Sequence, residues 1–204
     1  MTIMISKDFT HEIEIKKSRF ICQLKRVETE EEARDFINSV KKEHYKANHN
    51  CSAFVLGERQ EIQRTSDDGE PSGTAGVHML EILKKREITN VCAVVTRYFG
   101  GIKLGAGGLI RAYAGSVNEA LNEVNLVKIV EQQELCLTLD YSLFDSLEKY
   151  LSIPIVDKSF TDKVEIKIFL DEDKISGFLR DLTEKFNGKI QVAEGRKRVV
   201  EVKI

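Results

Sequence analysis

Apolar and polar residues alternate weakly along Glu12–Ile15 and Arg19–Lys25, the two-residue period of strands that bury one face. The charged stretch Glu30–Lys46 then carries Ala33, Phe36, Ile37 and Val40 at helical spacing, so the chain opens as strand, strand, helix. Cys51–Leu56 and Glu61–Thr65 flank Gly57-Glu-Arg-Gln60 and predict an antiparallel hairpin. Leu80, Ile82 and Leu83 predict a helix running toward Lys85, with Pro71 in its first turn, where a missing N–H is tolerated. Within Asn90–Thr96, the run Val91-Cys-Ala-Val-Val95 reads as a central strand buried on both faces. From Leu109 onward, Leu109, Tyr113, Val117, Ala120, Leu121 and Val124 form one helical stripe, which predicts a long amphipathic helix.

Past Lys128 glycine becomes sparse and the texture changes. Glu131–Asp140, Ser142–Ser152, Ile155–Phe160, Val164–Leu170, Asp173–Phe186, then Lys189–Val192 with Val199–Ile204 read β-α-β-β-α-β, the last strand bent around Gly195. That order is the ferredoxin-like plan. The chain is therefore expected to be α+β, with a first domain over 1–130 and a ferredoxin-like second domain over 131–204.

Composition narrows the function. In 204 residues, 42% hydrophobic and 31% charged with two prolines, nothing suggests extensive disorder. Lys and Arg number 31 against 33 Asp and Glu, so the net charge of −2 would not gather polyanions over the whole surface, and any such site must be local. The apolar runs are too short for a membrane span and the first eight residues do not resemble a signal peptide, so the expected compartment is cytoplasmic, with no membrane partner. Cys22, Cys51, Cys92 and Cys136 form no spaced pair and read as reduced thiols.

The candidate chemistry lies where the glycines are: nine of the thirteen fall between Gly69 and Gly115. One glycine-rich turn carries acids, Asp67, Asp68 and Glu70; the other, with Gly100, Gly101, Gly105, Gly107 and Gly108, carries cations, Arg97, Lys103 and Arg111. Each precedes a helix, and the unpaired N–H groups at a helix start suit an anion. Arg111 near the positive end of a helix dipole is unfavourable by about 0.3–1 kcal/mol unless something negative lies close. The acids could supply that charge as a structural clasp, or hold a divalent cation such as Mg²⁺ while the cations take phosphate. The glycine strings match neither the Walker loop nor the dinucleotide fingerprint. His49 and Cys51, two apart on a strand, could pair as imidazole and thiolate, or be a buried thiol beside a capping histidine. His11, His44 and His78 form no ligand set with any cysteine, and Arg196-Lys-Arg198 reads as a solvated loop. On the second domain's open sheet face Phe169 stands alone, too little aromatic surface for base stacking.

Ser66-Asp-Asp-Gly-Glu-Pro-Ser-Gly-Thr-Ala-Gly76 and the string from Val94 to Tyr113 resemble the IMPACT family in its bacterial YigZ/YvyE-like branch, as do Ser18-Arg-Phe20 and Ala47-Asn-His-Asn-Cys51. The resemblance implies a first domain like domain 2 of ribosomal protein S5, a sheet backed by two helices, and a second like the C-terminal domain of elongation factor G. Eukaryotic relatives restrain a starvation-responsive translation kinase by binding its co-activator, and bacterial members have been suspected of binding nucleic acid. Relatives typically carry proline where this chain has His78. The expectation is a non-enzymatic binding protein linked to translation, without a cofactor, its partner RNA or a ribosome-associated protein. The alternatives are a Mg²⁺-dependent enzyme acting on a phosphorylated or nucleotide substrate, and glycine strings that are purely architectural.

Overall fold

In the computed structural model, which describes residues 2–204, the chain divides at Lys128/Ile129 into two units, and Val202–Ile204 rejoin the first. The first unit contains β1 (Ile3–Ile5), β2 (Phe9–Ile15), β3 (Ser18–Arg26), α1 (Glu30–Glu43), β4 (His49–Leu56), β5 (Ile62–Ser66), α2 (Gly76–Lys85), β6 (Val91–Tyr98) and α3 (Ala106–Glu123). Its main sheet runs β2-β3-β6-β4-β5 with every neighbour antiparallel.

The unbroken apolar run at Val91 becomes the middle strand because both faces are covered. On one face α2 and α3 pack over Phe20, Cys22, Cys51, Ala53, Val55, Ala93 and Val95. On the other, α1 sets Ala33 and Val40 against Phe54, Leu56, Cys92 and Val94. The sheet is thus not simply backed by two helices, since α1 closes its second face. α1 is fixed at its start by Thr29, whose Oγ1 accepts the Glu32 N–H at 3.2 Å, while Glu32 reaches back to the Glu28 N–H at 2.8 Å. Acids fill its first turn and lysines its last, as the helix dipole favours.

One expectation is corrected here, and one strand had none. Pro71 is not in a helix: α2 begins at Gly76, and the Pro71 carbonyl instead accepts from the N–H and hydroxyl of Thr74. β1, too short to display a period, has no sequence signal; it pairs with Leu126–Lys128, which open the strand that follows α3.

The second unit follows β-α-β-β-α-β: β7 (Leu126–Leu139), α4 (Tyr141–Tyr150), β8 (Ile155–Phe160), β9 (Val164–Asp171), a 3₁₀ turn over Glu172–Lys174, α5 (Ile175–Lys185) and β10 (Gln191–Lys203). β7 lies between β9 and β10, with β8 on the outer edge of β9, the ferredoxin-like strand order. Leu135, Leu137 and Leu139 face Val164, Ile166, Ile168 and Leu170 in a core closed by Leu147, Leu182 and Phe186. β10 is one continuous strand, not two pieces, and Arg196-Lys-Arg198 belongs to it, not to a loop. Phe169 is only 5% exposed, because the Arg198 guanidinium stacks 3.7 Å from its ring centroid.

Candidate functional site

Strand alternation decides which polar residues meet. Val91, Ala93 and Val95 of β6 face α2 and α3, so Arg97 continues that face; Cys51, Ala53 and Val55 of β4 do the same, so His49 continues theirs. His49 and Arg97 are register partners on neighbouring strands. The apolar core therefore ends in an imidazole and a guanidinium side by side. They form part of a cleft of about 440 Å³ whose other walls are Glu70 and Pro71 of the acidic turn, Phe99, and the Lys103–Ala106 approach to α3.

The three acids of the turn are each taken up by a different set of donors. Asp67 caps α2 from a distance: Oδ1 accepts the N–H groups of Gly76 (2.8 Å) and Ala75 (3.1 Å), and Oδ2 accepts that of Gly73 (2.7 Å). Asp68 pairs with Lys41 of α1 at 2.5 Å and accepts the Asn50 N–H at 2.6 Å. Glu70 is buried, and its Oε1 accepts from Arg97 Nη1 at 2.7 Å and from the Tyr113 hydroxyl at 2.8 Å. The carboxylates share no donor, and no group of three or more His, Cys, Asp and Glu side chains is placed to hold a metal among the described residues.

The expected single positive pocket of Arg97, Lys103 and Arg111 does not form, because Arg97 is buried and already neutralised by Glu70. Lys103 is exposed and lines the cleft. Arg111 is exposed and outside it, its Nη1 lying back toward Gly107 at the opening of α3, 3.6 Å from where a methyl on that glycine would sit. Neither cation has an ion pair among the described residues, and α3 has no side-chain cap and no acid in its first turn. Its N-cap, Gly105, holds φ at +70°, a conformation glycine adopts at no steric cost. The glycines divide as well. The Gly100 N–H is taken by Ser18 Oγ at 3.2 Å, so this amide is not free for an anion, and Gly101 serves the turn at φ +86°. Gly107 and Gly108 stay in the uncapped first turn of α3. A second cavity of about 330 Å³ beside α1 also holds cations, but its Arg34 and Arg64 both pair with Glu30.

His49 and Cys51 share a face without pairing. Cys51 Sγ donates to the Asp67 carbonyl at 3.0 Å, and His49 Nδ1 to the Asp68 carbonyl at 3.0 Å. Burial pushes the Cys51 thiol up to about 12, so no thiolate is present at neutral pH. Cys92 is raised likewise to about 12, and Cys22 is raised as well. Cys136 alone is partly accessible. A thiol titration of the native protein with a disulfide reagent at neutral pH is expected to show one fast group out of four, abolished by Cys136→Ser. A fast phase that survives this change would show that a buried thiol is open to reagent.

Two contributors were not singled out from the sequence. Tyr113 sits within the apolar stripe of α3 and contacts Phe20 edge-on, yet its hydroxyl completes the Glu70 cluster. Phe99, 45% exposed, forms an aromatic wall whose only sequence signal is its place before Gly100 and Gly101. His78, in place of the usual proline, leaves the α2 entrance formed: its N–H bonds the Ala75 carbonyl at 3.1 Å and its ring meets Glu81. No helix among the described residues is long and apolar enough to cross a membrane.

Comparison with known proteins follows the same division. The Impact N-terminal domain matches residues 16–121, and a domain of unknown function, DUF1949, matches residues 137–189. The chain is 49% identical to the IMPACT family member YvyE of Bacillus subtilis, over 94% of this chain and 89% of that one. It is 38% identical to the IMPACT family member YigZ of Escherichia coli, over 88% and 90%. A crystal structure described as that of a hypothetical protein superposes with a TM-score of 0.61 over 94% of this chain and 95% of its own, at 35% identity. Both cleft-forming strings, the acidic turn and the approach to α3, lie inside the matched first domain, and with near full-length likeness to two bacterial members, this chain belongs to the IMPACT family.

Proposed function

We propose that the protein is a non-enzymatic binding protein linked to translation, and that it recognises RNA phosphates through the cleft of its first unit. The observation that carries this reading is the start of α3. Its opening amides have no side-chain cap and its first turn no acid, while Lys103 and Arg111, both exposed and without an ion pair among the described residues, bring two positive charges to the dipole's positive end. Such an arrangement is unfavourable alone and favourable with a phosphate seated on it. The link to translation comes from the family resemblance. A Mg²⁺-dependent enzyme draws no support from carboxylates that are each committed to protein donors.

Two measurements test the reading. In a salt titration of single-stranded RNA binding, log K is expected to fall linearly with log salt, by about 0.7 per phosphate engaged. Lys103→Ala and Arg111→Ala are each expected to weaken binding and to flatten that slope by about one phosphate contact. Sedimentation with ribosomes, lost at high salt, is the expected result in extract. Binding that ignores salt, or no binding to RNA or ribosomes, overturns the proposal.

A further inference from the structure

One wall of the cleft is built without serving the core. Phe99 is 45% exposed and belongs to neither apolar cluster of its unit, yet its place is fixed from three sides. Its own N–H donates to Asn48 Oδ1 at 2.8 Å, and the N–H of Gly100 beside it donates to Ser18 Oγ at 3.2 Å. The Arg97 guanidinium, anchored by Glu70, lies 5.5 Å from the Phe99 ring centroid and 5.4 Å from that of Phe20. An aromatic surface already held in position gives up little freedom when a flat partner settles on it. Arg97 Nε, a buried donor on the same wall, has no partner, which suits an incoming molecule rich in acceptors.

We infer that Phe99 is the platform on which one unpaired nucleobase stacks, which makes the cleft specific for single-stranded RNA over duplex. The inference rests on the phosphate-binding reading above and names the form of RNA that the phosphate site receives. Phe99 shares one cavity with Lys103, Gly105 and Ala106, so a base on the ring and a phosphate at the start of α3 occupy the same space. Its volume of about 440 Å³ lies within the roughly 300–1,000 Å³ typical of small-ligand pockets. Pro71, Leu104 and Leu109 add apolar surface around the ring. Charge selects the occupant: Lys103 and the positive end of the α3 dipole call for an anion beside the flat group, and a nucleotide carries both, whereas an apolar peptide side chain carries no charge. Bases inside a duplex have both faces covered by their neighbours and offer none to the ring.

The test uses the full chain and one short RNA in three forms, as single strand, as duplex and as an abasic single strand, with binding read by fluorescence anisotropy across salt. Phe99→Ala is expected to weaken single-strand binding by about 5- to 150-fold, the usual range for one lost stack. The slope of log K against log salt should stay that of the parent, since no phosphate contact is lost. Phe99→Leu, which keeps apolar bulk without the ring, is expected to lose nearly as much, while duplex and abasic strand should bind parent and variants alike. The chain has no tryptophan, so Phe99→Trp supplies a sole indole, whose emission should be quenched by the single strand and unchanged by the abasic one. That readout holds even where the alanine variant melts early. Single-strand binding that survives Phe99→Ala, full binding by Phe99→Leu, or indole emission that ignores the single strand overturns the stacking inference and leaves phosphate recognition standing. Binding of none of the three forms by the parent removes both.

Discussion

Glu70→Ala is expected to destabilise the first unit by about 3–5 kcal/mol, because it leaves a buried guanidinium without its counter-charge. The Glu70 and Arg97 side chains are 3% and 7% exposed, so water cannot replace the lost carboxylate, and Arg97 Nε already lacks a partner. The Tyr113 hydroxyl loses its acceptor in the same change. At about 2–4 °C per kcal/mol for a chain of this size, the melting transition of the first unit should fall by roughly 10 °C. Glu70→Gln keeps an oxygen for Arg97 and Tyr113 and should sit between parent and alanine variant. The pair Glu70→Leu with Arg97→Met should recover much of the loss, since removing both charges removes the cost of burying either. Scanning calorimetry of the four proteins decides it: an alanine variant melting within about 2 °C of the parent would mean that the pair is not desolvated.

Most of the fold could be read from local pattern, and the exceptions have local causes. The run at Val91 announced a strand buried on both faces because no polar residue interrupts it before Thr96. The Leu109–Val124 stripe announced α3 because it repeats over more than four turns. Ile3–Ile5 could not announce itself, since three residues show no period and the strand is made by distant partners, Leu126–Lys128 along its length and Ile88 at Ile3. Pro71 misled because proline is equally at home in a tight turn and at a helix start, and the distinction is made by Asp67 capping α2 at Ala75 and Gly76.

At the cleft, sequence identified the two strings but not how their charges are divided. Acids at one glycine-rich turn and cations at another are compatible with a clasp, a metal site or a phosphate site. Which of these forms depends on side-chain directions set by strand register. Arg97 falls on the core-facing side of β6, and there it must be neutralised by Glu70. Lys103 and Arg111 lie on a loop and on the outer side of a helix, where solvent leaves them available. The imidazole–thiolate pairing of His49 and Cys51 failed for a related reason: sharing a face brings two side chains near each other, but the carbonyls of Asp67 and Asp68 claim the donors of both.

Gly100→Ala is expected to cost about 2–4 kcal/mol, more than alanine at Gly101 or Gly107. A methyl at Gly100 would fall 2.0 Å from the carbonyl carbon and oxygen of Lys17, a separation no packing allows. Nor is Lys17 free to retreat. Lys16 and Lys17 hold φ at +48° and +65° in the two-residue turn between β2 and β3, and buried Ser18 next to them receives the Gly100 N–H. Relief of the contact must therefore move the hairpin or break that hydrogen bond. At Gly101 a methyl would enter open space, and the cost is limited to the strain of φ +86°, about 1–2 kcal/mol. At Gly107, inside α3, it would meet only the far end of Arg111, and helix propensity should bring a gain of up to about 1 kcal/mol. Thermal melts of the three variants should rank Gly100 lowest and Gly107 highest. If Gly100→Ala instead melts with the parent and loses RNA binding, this glycine contacts ligand and its approach to Lys17 does not constrain the fold.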